Sequence, residues 1–181
     1  LAGLRVAVKD VFAMAGHPIG AGNPALLREA APQERSAEAV DQLTAAGADV
    51  VGIARADEFA FSLDGANAHY GAPPNPAAPG ALPGGSSSGP ASAVPLGFGR
   101  IGLATVTHGL IPLPASYQGV WGLRTTHGAV SARGLLPLAG SFDTVGWLTR
   151  DAATLELLAD LFTSASGDAL PSELLVPVDL V

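Results

Sequence analysis

The residues whose types permit chemistry are few in this chain of 181 residues. Three consecutive serines, Ser86 to Ser88, lie within a glycine-rich run, and Lys9 follows a short apolar segment. Hydroxyl and amine groups of this kind serve as nucleophiles and bases when a fold pairs them. Composition alone allows another interpretation of the serine-rich run. Residues 71–90 are rich in Gly, Pro and Ser, which is typical of a flexible linker.

Composition excludes several other kinds of chemistry. The chain has no cysteine, which excludes disulfides, thiolate catalysis, iron–sulfur clusters and zinc–thiolate sites. The four histidines are scattered without the spacing of metal ligands, at His17, His69, His108 and His127. We therefore expect no metal site and no cofactor.

The charge balance points away from nucleic acid. Nine Lys and Arg residues stand against 16 Asp and Glu residues, a net charge of −7, whereas phosphate binding needs a basic surface. Charged residues are only 14% of the chain, against about 25% in an average soluble domain, so we expect a buried partner face. A homodimer is the simplest such assembly, and another protein chain is the alternative.

The first residues and the apolar stretches bear on location. No apolar stretch reaches the roughly 18 residues that a membrane span needs. Residues 1–5 lack the charged and apolar regions of a signal peptide, and we predict a cytoplasmic location. The sequence lacks an initiator Met and runs straight into a strand-like segment, so we expect it to begin inside a longer chain.

Short apolar segments alternate with helical patterns along the chain. Strands are predicted over 4–9, 50–54, 101–105 and 120–123, the second of them buried. A helix is predicted over 34–46, ending at Gly47, and its inner face holds Ala37, Val40, Leu43 and Thr44. Trp121 and Trp147 are predicted to lie in the core. This alternation indicates an α/β sheet.

Acidic residues mark two further helix starts. Asp151 is a good N-cap for a helix that reaches about Ser164, with an inner face of Leu155, Leu158, Ala159 and Phe162. Asp57 and Glu58 are predicted to open another helix, where their charges favour the positive end of the helix dipole.

Several motifs together carry a family resemblance. The run Gly84-Gly85-Ser86-Ser87-Ser88-Gly89 resembles the serine- and glycine-rich core of the amidase signature family, and Ala7-Val8-Lys9-Asp10 resembles its lysine strand. Further family motifs follow in order at 65–71, 75–79, 114–124 and 141–146. The chain is most similar to short members such as plant indole-3-acetamide hydrolases and the chloroplast-import receptor domain. The resemblance spans about 1–161, so 1–181 is predicted to be a single partial domain with a divergent tail over 162–181.

The resemblance implies a fold and a chemistry. The fold is an α/β amidase-signature-type mixed β-sheet flanked by helices, incomplete here at its C-terminal side. Family members hydrolyse amides with a Ser–cis-Ser–Lys triad, in which a buried neutral lysine accepts the proton of a bridging serine. The matching residues are Lys9 and, 77 positions later, Ser86. We expect Ser86 to follow a cis peptide bond and to hydrogen-bond to Lys9.

The chain departs from the family at the nucleophile. In the family a serine closes a Gly-Thr-Asp-Thr-Gly-Gly-Ser run, and the matching residue here, 24 positions after Ser86, is Leu110. The loop that supplies oxyanion donors corresponds to Thr107, His108 and Gly109. We expect the Cβ atom of His108 to disturb the backbone of this loop, because the family has glycine there.

Three further departures accompany the missing serine. Val106 replaces an acid and Pro112 replaces an arginine of the same motif. Pro95 is predicted to lie inside the helix that follows Ser88, at a cost of about 3 kcal/mol or a kink. Together with Leu110 and His108, these changes indicate relaxed constraint on a site that is no longer used.

Two functions stay open at this point. One is a catalytically silent amidase-signature domain that binds a small amide or acts as a scaffold for a partner. The other is an active amidase that uses a substitute hydroxyl, or an inactivated or partial form of an active amidase. The hydroxyls near the missing serine are those of Ser87, Ser88, Thr107 and Ser116.

Overall fold

The computed structural model describes residues 1–163. Within this range five strands form one mixed sheet: β1 (Arg5–Lys9), β2 (Asp49–Ala54), β3 (Ile101–Val106), β4 (Trp121–Arg124) and β5 (Thr144–Thr149). The strand order is β2-β1-β3-β5-β4. Strand β1 pairs in parallel with β2 and β3, whereas β5 pairs antiparallel with β3 and β4. The prediction of an α/β fold with a mixed sheet is confirmed.

Helices cover both faces of this sheet. They are α1 (Pro24–Glu29), α2 (Glu38–Ala45), α3 (Ser88–Ala93), α4 (Pro112–Gln118) and α5 (Ala152–Phe162). Helices α2 and α5 pack on one face, where Val40 and Leu158 join a core that contains Trp147. Helices α3 and α4 pack on the other face, where Ala91 and Ala115 join a second apolar cluster. Side chains of β3 alternate between the two faces, so the whole strand is buried.

Helix α5 follows its sequence signals. The Asp151 carboxylate accepts a hydrogen bond from the Thr154 N–H at 2.8 Å, which caps the helix as predicted. Phe162 is buried and stacks on Trp147 with ring centroids 5.1 Å apart. The predicted helix end at Ser164 and nearly all of the predicted tail lie outside the described residues. Among residues 1–163, no helix has both the length and the hydropathy to cross a bilayer.

Helix α2 is shorter than its apolar pattern predicts. It begins at Glu38 rather than at residue 34, with Ala37 as N-cap. Thr44 is exposed, so its predicted place on the inner face is wrong; its hydroxyl donates to the Val40 carbonyl at 3.2 Å. Gly47 adopts φ +88° just past the helix end, as its predicted role requires.

Two predictions of burial are wrong because they concern the edges of the sheet. Strand β2 was expected to be buried, but it lies at one edge, and Val51 is 45% exposed. Trp121 was expected in the core, but it lies on β4 at the opposite edge and is 54% exposed. Trp147 is fully buried as predicted, because β5 has a neighbouring strand on each side.

The Gly- and Pro-rich segment 71–90 is an anchored loop and not a linker. Asn75 is buried, and its amide nitrogen donates to the carbonyls of Leu82 and Tyr117 at 2.9 and 3.2 Å. The segment leads into α3, which ends at Ala93. Pro95 therefore lies beyond this helix, and the expected kink is wrong.

Candidate active site

Lys9 lies where the strand order reverses. The chain runs from β1 through α1 and α2 to β2 on one side, then through α3 to β3 on the other side of β1. Sheets of this kind bind ligands outside the carboxyl ends of the strands at such a switch point. Lys9 is the last residue of β1, and Thr105 is the last but one of β3. Both residues are therefore at the position where a site is expected.

The serine-rich run forms a tightly packed turn before α3. Gly84 adopts φ +75°, and a Cβ atom there would lie 2.8 Å from the Cα atom of Pro114. A Cβ atom on Gly85 would overlap the Asp57 carboxylate and lie 2.8 Å from the Gly65 nitrogen. These close approaches explain why glycine precedes the serines. The bond between Gly85 and Ser86 is cis, as the resemblance implies.

Three hydroxyls surround the Lys9 amine. Its Nζ atom donates to Ser86 Oγ at 3.0 Å, to Ser87 Oγ at 3.0 Å and to Thr105 Oγ1 at 2.9 Å. The expected contact between Lys9 and Ser86 is therefore confirmed. Ser87 in turn donates to the Thr105 carbonyl at 3.2 Å. Thr105 was not singled out from the sequence; the available signal was its place in the motif that contains Thr107.

The environment of Lys9 favours its neutral form. Lys9 is fully buried and is the only lysine in the chain. Burial lowers the pKa of its amine from 10.5 to about 7, although the carboxylates of Asp10, Asp57 and Asp143 oppose this shift. At neutral pH a large fraction of the amine therefore holds a lone pair that can accept a proton.

Asp57 supports the serine-rich turn instead of opening a helix. Its carboxylate accepts hydrogen bonds from Ser88 Oγ at 3.2 Å and from the Gly65 nitrogen at 3.0 Å. The side chain is buried, and this burial raises its pKa. The predicted helix is a three-residue 3₁₀ turn, Glu58–Ala60, in which Asp57 makes no capping bond through its side chain. The helix-dipole interpretation of Asp57 is therefore wrong.

The loop between β3 and α4 holds the remaining predicted site residues. Thr107 Oγ1 donates to the Asp143 carboxylate at 2.5 Å. His108 is exposed, and the residue in the left-handed conformation is Gly109, with φ +68°. The expected strain at His108 is therefore wrong, since His108 is not among the residues with positive φ. Leu110 is 1% exposed.

This loop and the lysine lie at the same edge of the sheet. Lys9 is the last residue of β1, the loop follows β3, and these two strands are parallel. The hydrogen bonds of Lys9 reach Thr105 in β3 but no residue from Thr107 to Leu110. Within the part of the chain that the structure describes, no group of three or more His, Asp or Glu residues could hold a metal ion.

Residues 1–174 match the family described as Amidase. The chain belongs to this family. The resemblance inferred from the motifs is thereby confirmed, and so is the amide-hydrolase family fold.

Named relatives in the amidase family are considerably longer than this chain. Amidase 1 of Oryza sativa subsp. japonica is 44% identical in an alignment that covers 99% of this chain and 42% of that protein. The protein Translocon at the outer membrane of chloroplasts 64 of Pisum sativum is 39% identical, over 91% of this chain and 28% of that protein. The chain thus spans less than half the length of these relatives.

Solved structures of the amidase family have the same fold. One is described as an unexpected vestigial protein complex that reveals the evolutionary origins of an s-triazine catabolic enzyme. It superposes with a TM-score of 0.87 at 38% sequence identity, and the match covers 92% of this chain and 36% of that one.

Proposed function

We propose that the chain is a catalytically silent amidase-family domain that binds a small amide or acts as a scaffold for a partner. The observation that carries this proposal is Leu110, which stands 24 residues after Ser86, where the family motif ends in its nucleophilic serine. A leucine side chain has no lone pair with which to attack a carbonyl carbon. Hydrolysis by the family mechanism would therefore lack its first covalent step.

The contacts of Lys9 support a proton relay that has no nucleophile to activate. The neutral amine, favoured by a pKa of about 7, accepts a proton from the Ser86 hydroxyl, which lies 3.0 Å away. In the family mechanism Ser86 then accepts the proton of the nucleophile. With Leu110 at that position, the relay has no hydroxyl to activate.

A cavity beside Leu110 is the proposed place for a small amide. Its volume is about 250 Å³, and Leu110 lines it together with Phe61, Leu63 and His108. The apolar side chains favour an apolar group on the ligand. This cavity supports binding without turnover, because Leu110 carries no hydroxyl and the hydroxyl of Ser62, which also lines the cavity, donates to Asp64 and not to Lys9.

A second candidate function is hydrolysis through a substitute hydroxyl, and Thr107 is the one the contacts favour. Its hydroxyl donates to the Asp143 carboxylate, and Thr107 is only partly buried. Ser87 is buried and bonded to Lys9, and Ser88 is buried and bonded to Asp57. The fourth candidate, Ser116, lies on the exposed side of α4.

A kinetic series tests the silent function. We expect the unmodified chain to hydrolyse small primary amides and aryl amides no faster than the background rate. Leu110→Ser alone should stay inactive, because Val106, His108 and Pro112 still differ from the family motif, and loss of one oxyanion donor costs about 100- to 1,000-fold. The combined variant, which adds Val106→Asp, His108→Gly and Pro112→Arg, should gain hydrolysis that Lys9→Ala abolishes.

The opposite outcome has a defined form. Hydrolysis by the unmodified chain that Lys9→Ala removes would contradict the silent function. Loss of that hydrolysis in Thr107→Val, but not in Ser116→Ala, would then assign the nucleophile to Thr107.

We further propose that the chain associates with a second copy or with another chain. The exposed apolar residues Val51 and Trp121, on the two edge strands, support an interface at a sheet edge. A similar solved structure is described as a protein complex. A cytoplasmic location stays a prediction, and one similar protein is named for the outer membrane of chloroplasts.

A further inference from the structure

A second cavity lies outside the carboxyl ends of β1 and β2. Its volume is about 220 Å³. Asp10 follows the last residue of β1, Arg55 follows the last residue of β2, and both line the cavity. The side chains that hydrogen-bond to Lys9 do not line it, so this cavity is separate from the candidate active site. Crevices outside the carboxyl ends of parallel strands are common ligand sites.

Arg55 and Tyr70 both line this cavity, and within residues 1–163 the Arg55 guanidinium has no carboxylate partner. The guanidinium lies over the Tyr70 ring at 3.8 Å from the ring centroid. None of the ion pairs formed within residues 1–163 includes Arg55. Stacking holds the planar group in place and leaves its edge donors free, which is the arrangement that binds a carboxylate with two parallel hydrogen bonds.

Asp10 supplies a negative charge to the same cavity. Its side chain is only 6% exposed, and its two oxygens accept backbone N–H bonds from Gly22 at 2.7 Å and Ala56 at 2.9 Å. A carboxylate has about four acceptor positions, so two remain for further donors. The adjacent Lys9 donates to three hydroxyls and not to Asp10. A ligand ammonium group would therefore meet an acceptor that no cation of the described residues occupies.

Apolar side chains form another wall of the cavity. Leu27 and Ile53 line it and are both more than a third exposed. The cavity volume corresponds to about seven water molecules at about 30 Å³ each, which suits a small organic molecule. A branched aliphatic group of the ligand would cover this wall.

We infer that this cavity binds a small aliphatic α-amino acid. The ligand carboxylate pairs with the Arg55 guanidinium, the ammonium group pairs with the Asp10 carboxylate, and the side chain packs against Leu27 and Ile53. The ligand class follows from a positive group, a negative group and an apolar wall that line one small cavity. It does not depend on the proposed function, because none of the residues from Thr107 to Leu110 takes part.

Binding of L-leucine to the 181-residue chain, followed by calorimetry or by NMR chemical shifts, tests this inference. We expect saturable binding of leucine. Binding should be at least about tenfold weaker for 4-methylpentanoate, which lacks the ammonium group, and for 3-methylbutylamine, which lacks the carboxylate. Arg55→Gln should weaken leucine binding at least about tenfold, and Arg55→Lys should weaken it less. Arg133→Gln, at an exposed arginine outside the cavity, should leave it unchanged.

Three results would overturn the inference. They are absence of saturable leucine binding to the native chain, equal binding by the Arg55→Gln variant, and equal binding of leucine and 4-methylpentanoate. Because Arg55 is exposed, the variant chain should retain its far-UV circular dichroism. If the Arg55→Gln variant loses that spectrum, Tyr70→Leu is measured in its place. This substitution removes the surface on which Arg55 stacks, and it should also weaken leucine binding.

Discussion

At the scale of single residues, two opposing effects set the charge of Lys9. Removal from water destabilises the ammonium form, whereas three nearby carboxylates stabilise it. Burial dominates, because the partners in direct contact are the neutral hydroxyls of Ser86, Ser87 and Thr105. The result is a pKa of about 7, within the range in which a lysine serves as a general base.

The titration of Lys9 is directly measurable, because the chain contains one lysine. We expect the ¹³Cε signal of labelled lysine to titrate with a midpoint near pH 7 in the folded chain and near its ordinary value of 10.5 in denaturant. Between these values the unfolded chain binds one more proton than the folded chain. The free energy of unfolding should therefore rise by about 1.4 kcal/mol per pH unit from pH 7 to 10.5.

The control for this linkage is Lys9→Met. The substitution removes the titrating amine and keeps an unbranched side chain, so the stability advantage of the variant should shrink as the pH rises through this window. Lost hydrogen bonds to the hydroxyls shift the whole curve but leave its slope unchanged. A folded-state midpoint near 10, or a stability difference that does not vary with pH, would contradict the account of Lys9.

The sequence predicted some of these residues and not others, for a physical reason. Lys9 and Ser86 belong to motifs whose residue types and order are informative, and their contact followed from the resemblance. Thr105 and Asp57 contribute through hydrogen bonds to residues far away in the chain, Lys9 and Ser88 respectively. Asp57 lies 31 residues before its hydrogen-bond partner Ser88, and no local pattern distinguishes it from an ordinary helix-start acid.

At the scale of elements, helix α4 ends in a buried group without a partner. Gln118 is almost fully buried, and neither its Oε1 nor its Nε2 atom has a hydrogen-bond partner within the described residues. Such an amide loses its hydration without compensation. We expect Gln118→Met, which keeps the shape of the side chain, to raise the free energy of unfolding by about 1–3 kcal/mol in a denaturant titration.

Asn75 provides a matched control for this prediction. It is also a buried amide, but its Nδ2 atom donates to two carbonyls and its Oδ1 atom accepts from the nitrogens of Ala77 and Ala78. Asn75→Leu should therefore lower the free energy of unfolding. Destabilisation by Gln118→Met of the same size as by Asn75→Leu would mean that the Gln118 amide has a partner.

An apolar pattern indicates where strands form but not where they lie in the sheet. The pattern correctly predicted strands near Lys9, Ile101 and Trp121, because strand-forming residue types are a local property. It did not distinguish the central strand β3 from the edge strand β2, since both are runs of apolar residues. Strand order is decided by contacts across the sheet, and this order leaves Val51 and Trp121 exposed.

At the scale of the whole molecule, the sheet formed by residues 1–163 has an unpaired strand at each edge, and the chain carries little charge. Val51 and Trp121 are exposed on the edge strands, and only 14% of all residues are charged. Apolar edge strands favour pairing with another strand. We expect sedimentation of the 181-residue chain at micromolar concentration to show association, most simply a symmetric dimer.

Matched substitutions locate the interface. Val51→Lys or Trp121→Lys should shift the sedimentation profile towards a monomer, according to which edge is used. Leu96→Lys, at an exposed residue in the turn after α3, should not change it. A native chain that is monomeric and does not bind a dye for exposed apolar surface would contradict the prediction.

The most direct test of the silent site is the intact mass of the chain after incubation with a fluorophosphonate. Such reagents bond to a hydroxyl that a neighbouring base has activated. Lys9 and Ser86 are in contact, but in the proposed function Leu110 occupies the nucleophile position and provides no hydroxyl there. We predict an unchanged mass. A stoichiometric adduct that disappears in Lys9→Ala would contradict the silent site and show that another hydroxyl serves as the nucleophile.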